Sequence, residues 1–180
     1  MESLYHKQIF QLAKDKKDEI FFNSSKEHAS IVHQAIMKYA TDYVYIYSSS
    51  LCTEISNNSI YCDYVDDFLG KNANHLIKIV LTNYDESFLT KPLALILNKY
   101  NKQVEIKSFK GKIFHNGKEI HFTVSDDCAF RLETDIEKHM AYGNFNGKAQ
   151  AMNLKNLFLK VFSSTLVKPV ILKQHGREYA

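Results

Sequence analysis

Breakers of regular structure are scarce in this chain: six Gly, two Pro and no Trp among 180 residues. That scarcity excludes collagen-like and linker-rich chains and leaves room for long helices and strands. Cysteine is also sparse. Cys52, Cys62 and Cys128 are odd in number and lack the close pairs of a disulfide framework. The longest aliphatic run is the five residues from Leu93 to Leu97, far short of the ~18 needed to span a bilayer. No apolar run follows Met1 to suggest a signal peptide, so the expectation is a reduced, cytoplasmic protein without membrane contact. Nor does one sign of charge dominate, with 23 basic against 20 acidic residues and a net charge of +3. Such a balance supports nucleic-acid binding only weakly.

Ligand fingerprints are missing as well. The glycines lie scattered at positions 70, 111, 117, 143, 147 and 176 and form no phosphate-cradling loop. ATP and NAD are therefore unsupported, and no cofactor is expected. The eight histidines show no zinc-type i, i+4 spacing, so no metal site is expected. A cysteine protease and a serine hydrolase find no motif, since Ser48-Ser49-Ser50 lacks the Gly-x-Ser-x-Gly elbow.

What is present is a globular composition, 45% hydrophobic and 24% charged. A chain of this length buries roughly 70% of its unfolded surface without staples. Residues 2 to 18 place Tyr5, Ile9 and Leu12 on one helical face, with Lys7, Gln11, Lys14 and Asp18 opposite. Phe10 lies off that stripe and favours contact with a partner. A short apolar run at 19 to 23 precedes a helix opened by the capping pattern Ser24 to Glu27. The tyrosine-rich run from Tyr43 to Tyr47 is apolar on both faces and reads as a strand buried beneath helices. Together these form a βαβ unit.

The rhythm continues with a helix near 59 to 70, a strand from Leu76 to Leu81, a helix capped by Thr90 with Pro92 in its first turn, and a strand from Val104 to Ile106. From about residue 110 hairpins replace crossovers: Asn116-Gly117 joins strands over 112 to 115 and 118 to 125, and Asp126-Asp127 makes the next turn. Strands follow at 129 to 133 and 140 to 145, then a strong helix from 148 to 162. Leu166-Val167 and Val170 to Leu172 suggest a terminal strand interrupted by Pro169. The fold class expected is α/β, a single-domain mixed sheet flanked by helices. Its divisions are an N-terminal amphipathic helix over 1 to 18, the body over 19 to 165 and a tail over 166 to 180.

Strand alternation puts Ile120, Phe122 and Val124 on one face and His121, Thr123 and Ser125 on the other, toward a polar surface or cleft. With the two-residue turn, Lys112 pairs with His121 and His115 with Lys118, so His115 and His121 face opposite ways. A strand His, an Asp-Asp turn, and then Gly143-Asn144-Phe145-Asn146 entering a helix resemble the phospholipase D-like family over roughly residues 19 to 162. Members carry His-x-Lys-x4-Asp and a later Gly-Ser/Asn-x-Asn segment. Here His121 holds the His position, Thr123 the Lys position and Cys128 the Asp position, with Asp126 and Asp127 just before it.

The resemblance implies His121 as a nucleophile on phosphorus, Asn144 or Asn146 on the phosphate oxygens, and Asp126 or Asp127 orienting the His. Two such motifs meet across a twofold or dimer axis in the family. Asn144 and Asn146 equally suit a turn and a helix cap. Loss of the Lys removes a cationic donor, typically worth ~10²–10³ in rate; Lys112 or Arg131 are the substitutes nearby. The expectation is thus a catalytically degenerate domain serving as a binding or assembly subunit. It associates as a homodimer or with a protein partner through the N-terminal helix and the twofold face. Bacterial nuclease systems and defence against phage are the settings that the resemblance implies. The alternative is a metal-independent phosphodiesterase or nuclease, active as a dimer through His121.

Overall fold

The structure is a computed structural model and describes residues 3–172. Alternating apolar residues and Gly-poor segments build one eight-stranded sheet, with most of its helices on one face and a single helix on the other. In chain order the elements are α1 (Leu4–Lys14), β1 (Phe21–Asn23), α2 (Lys26–Tyr39), β2 (Tyr43–Ser48), α3 (Glu54–Asn57), α4 (Ser59–Lys71) and β3 (Leu76–Leu81). A short 3-10 turn (Glu86–Thr90), α5 (Pro92–Lys99) and β4 (Val104–Phe109) complete the parallel half. Then come β5 (Phe114–His115), β6 (Lys118–Glu119), β7 (His121–Ser125), β8 (Ala129–Asp135), β9 (Met140–Asn144), α6 (Lys148–Phe162) and β10 (Val167–Pro169).

The strand order is β1-β9-β8-β7-β2-β3-β4-β10, and β5 and β6 form a separate small hairpin. β2, β3 and β4 are parallel, while β2, β7, β8, β9 and β1 are antiparallel neighbours. β2 is therefore where the parallel half of the sheet meets the antiparallel half. The expected βαβ start is opened out: β1 pairs with β9 at the sheet edge, and three strands separate it from β2. β10 closes the other edge against β4, with Pro169 inside it, which an edge strand tolerates because one side needs no ladder donor. Residues 173–180 of the expected tail lie outside the described residues.

β2 is buried on both faces as its composition predicts. Tyr43, Tyr45 and Tyr47 pack toward α6, with Tyr45 and Phe158 stacked at 4.9 Å, while Val44 and Ile46 pack toward α4 and α5. A further cluster joins Ile9, Phe10, Leu12 and Ala13 of α1 to α2, Phe21 and Phe145. Phe10 is thus 9% exposed, covered by Tyr39 and Tyr64 of its own chain rather than left for a partner. Two caps sit one residue from their expected places. Ser25, not Ser24, accepts from the His28 N–H, and Lys91, not Thr90, precedes α5 with Pro92 at its start. Among the described residues no helix is long and apolar enough to cross a membrane.

Candidate functional site

At the carboxyl end of β2 the chain leaves the sheet through Ser48, Ser49 and Ser50. Leu51, at φ 52, turns sharply there, and its carbonyl accepts from the Asn57 side chain at 2.9 Å. Positive φ is uncommon for a bulky residue, so the serine loop is held and not free. Between that loop, the first half of α2 and the polar face of β7 and β8 lies a cavity of about 120 Å³. Its walls include His33, His121, Thr123, Arg131, Glu133 and His139.

The register explains the cluster. A three-residue turn at 126–128 sets His121 opposite Glu133 and Thr123 opposite Arg131, so all four side chains share one face. His121 Nδ1 lies 3.3 Å from Glu133 Oε2, and Arg131 donates to the other carboxylate oxygen at 2.8 Å. Arg131 Nε also donates to Asn23 Oδ1 at 3.0 Å, and Asn23 donates in turn to the His139 carbonyl at 2.6 Å. Burial alone would raise the Glu133 carboxyl, but the His121 hydrogen bond and the Arg131 guanidinium hold it down, at about 2.

An ionised carboxylate only accepts, so Nδ1 of His121 carries the proton and donates it. Nε2 is then the other ring nitrogen, buried and without a hydrogen-bond partner; Glu119 Oε1 is 3.8 Å away. His33, facing the same cavity, has its pKa pushed down to about 3 by loss of water around the ring and by the Arg131 charge, against the pull of Glu133. Among the described residues no group of three His, Cys, Asp or Glu side chains is placed to hold a metal ion.

The remaining expected site residues lie elsewhere. Asn144 pairs with Phe130 rather than with Arg131 or Glu133, so it points to the opposite face of the sheet from His121. Its side chain donates to Asp18 at 2.8 Å and accepts from the Asn146 N–H at 2.7 Å, a local turn before α6. Asn146 follows in that turn, near the start of α6 and away from the His121 cavity. Gly143 belongs to the same packing: a Cβ there would come within 2.3 Å of the Phe130 carbonyl and 2.4 Å of the Phe21 ring. The Gly-Asn-x-Asn segment therefore serves the strand end and the turn that follows it; the N-cap of α6 is Gly147, without a side-chain cap bond, so neither Asn caps the helix.

Asp126 and Asp127 sit at the far end of β7. Asp126 accepts from the backbone N–H groups of Thr41, Asp42 and Tyr43 at 2.8, 3.0 and 3.3 Å. Asp127 binds the Tyr43 hydroxyl at 2.8 Å and the Lys155 ammonium, which together lower its carboxyl pKa. Neither orients His121; Glu133 does. Lys112 bonds Glu119 rather than pairing with His121, because the small hairpin, with His115 opposite Lys118 as expected, leaves the sheet before reaching that register. Cys128, at the motif's Asp position, is buried with its thiol pKa pushed up by burial.

No protein-family model matches the chain, and neither does any curated protein. Solved structures do match in shape. NucT from Helicobacter pylori superposes with a TM-score of 0.56 at 9% identity, covering 86% of this chain and 99% of that one. Nuc from Salmonella typhimurium, a phospholipase D family member, gives 0.51 at 10% identity, covering 84% and 96%. The chain has a phospholipase D-like fold. The same fold extends to the archaeal chromatin protein TrmBL2, described with a novel mode of DNA binding, at a TM-score of 0.59 and 9% identity. There the match covers 91% of this chain but only 60% of that one.

Proposed function

We propose that this phospholipase D-like domain has given up phosphodiester chemistry and acts as a binding or assembly subunit, as a homodimer or with a protein partner. The observation that carries the reading is the fate of positive charge beside His121. Position 123, where the resemblance requires Lys, is a Thr only 3% exposed. Arg131, the buried cation on that face, is tied to Glu133 and Asn23. Phosphoryl transfer needs donors and cations aimed at the developing charge, and a guanidinium neutralised by its own carboxylate offers little of that. A cytoplasmic setting, and a place in a bacterial nuclease or phage-defence complex, belong to this proposal.

The competing reading is a metal-independent phosphodiesterase, active as a dimer. One observation favours it: Nε2 of His121 is unpartnered while Glu133 fixes the proton on Nδ1, the tautomer a nucleophilic imidazole needs. Turnover of single- and double-stranded DNA, RNA and a chromogenic phosphodiester, with EDTA present, separates the two. No turnover is expected. Turnover that disappears in His121→Ala establishes the phosphodiesterase and overturns the proposal. The DNA-binding neighbour makes nucleic acid a partner to test alongside, through the salt dependence of binding to the same DNA and RNA.

A further inference from the structure

A second, wider recess lies away from His121, on the outer surface of the helix layer. It is a groove of about 840 Å³ between α1 and α4. Its floor is α2, through the buried Ile31 and Gln34. Lys7 and Lys14 line the α1 wall, seven residues and so ~10.5 Å apart on one helix face. Lys38 rises from the end of α2, its Nζ 5.2 Å from the ring centroids of both Phe10 and Tyr64 and 5.7 Å from that of Tyr39. Rings, rather than a carboxylate, hold this ammonium over the groove. Glu27, at one end, is the sole acid in the lining.

The opposite wall, α4, has the complementary character. Ile60, 52% exposed, lines the groove beside Tyr64, and Asp63 and Asp67 follow it on the exposed side of the same helix. Neither aspartate, and none of the three lysines, forms an ion pair among the described residues, whereas the adjacent Asp66 is held by Lys99 at 2.8 Å. A basic wall on α1 and α2, and an acidic row on the exposed side of α4 just outside the groove, with apolar ground between them, match a copy of themselves about a twofold axis.

We propose that two copies of the chain associate through this face, α4 of each lying in the groove of the other. Asp63 and Asp67 of one copy then meet Lys7, Lys14 and Lys38 of the other, and the exposed Ile60 is buried in the other copy's groove. The proposal rests on the assembly reading and gives it a surface.

The test is sedimentation equilibrium of the full chain at concentrations up to about 100 μM, a hundredfold above a micromolar Kd. Wild type is compared with K7E/K14E/K38E, with D63K/D67K and with an equimolar mixture of the two variants. Each variant alone is expected to raise the dimer Kd by at least about tenfold, as charge reversal across an interface does. The mixture restores association, because every reversed charge again faces its opposite. All these positions are exposed, and circular dichroism of each variant checks that it folds. A wild type that stays monomeric, a dimer that survives both reversals, or a mixture that fails to re-associate overturns this surface. None of those outcomes bears on catalysis, which the turnover assay decides separately.

Discussion

Glu133 faces His121 directly across the β7–β8 ladder, its carboxylate 3.3 Å from the imidazole Nδ1. The same carboxylate accepts from Arg131 two residues earlier on its own strand. One anion thus serves His121 and Arg131 on a buried face, with His139 Nδ1 3.6 Å from its Oε1. This makes the cluster self-sufficient: it fixes a histidine tautomer, but it leaves no net positive charge to hold a phosphate.

Removing the shared anion should be costly. Glu133→Gln leaves the Arg131 guanidinium, 3% exposed, without its counter-ion, and breaking a buried pair from one side typically costs ~3–5 kcal/mol. Because Gln retains one acceptor oxygen, the expected loss is near the lower end, about 3 kcal/mol, read from the denaturant midpoint at neutral pH. A loss below about 0.5 kcal/mol would show that water already screens the pair.

Asp126→Ala should separate structure from chemistry in the opposite sense. Its carboxylate gathers three backbone N–H groups at the start of β2, and orphaning them should cost roughly 2–3 kcal/mol. Ligand or substrate behaviour at His121, at the other end of β7, should not change. Thermal melting and any binding assay on the same preparation check both halves.

Thr123→Lys would restore the residue that the phospholipase D-like motif requires, and the sequence alone makes it a way to revive a decayed site. The packing argues otherwise. Thr123 is 3% exposed and directly opposite Arg131, so the new ammonium would be buried beside a like charge with Glu133 as the nearest compensation. The expected outcome is destabilisation of several kcal/mol and no phosphodiesterase activity in EDTA. Activity from a stable Thr123→Lys protein would show that the site lacks only its cation.

The sheet was legible because its strands announce themselves: Tyr43 to Tyr47 is apolar throughout, and Asn116-Gly117 closes a hairpin as its turn chemistry requires. What alternation could not supply was strand order. The 21 to 23 segment looks like any short strand, and only its pairing with β9 shows that it lies three strands from β2. The site was half legible for the same reason. His121 was readable from alternation, and Arg131 as a candidate charge nearby. A three-residue turn after Ser125 places Glu133 opposite His121, but a lone strand Glu carries no local pattern of the kind that Gly143-Asn144-Phe145-Asn146 presents. Asn23, His33 and His139 come from distant elements, and nothing local marks them as cavity neighbours.

Acid should destabilise this protein through two pH windows that one substitution can tell apart. His33 titrates at about 3 in the folded chain against an ordinary 6.5, so between those values the unfolded state binds the extra proton and stability falls as pH falls. Glu133 titrates at about 2 against an ordinary 4.5; its contribution is complete above 4.5 and is lost as pH drops toward 2. Each group alone tilts stability by at most about 1.4 kcal/mol per pH unit within its own window. Arg131 acts on both in the same direction, holding His33 neutral and Glu133 ionised, and Tyr61 packs edge-on against His33 at 6.2 Å. Urea midpoints measured from pH 7 to pH 3 should therefore begin to fall near pH 6.5 and fall more steeply below 4.5. In His33→Gln the first decline should vanish while the second remains, because Gln cannot take the proton and the Glu133 pairing is untouched. A wild-type stability that stays flat down to pH 4.5 would mean that His33 is hydrated in solution and that its surroundings impose no cost on charge.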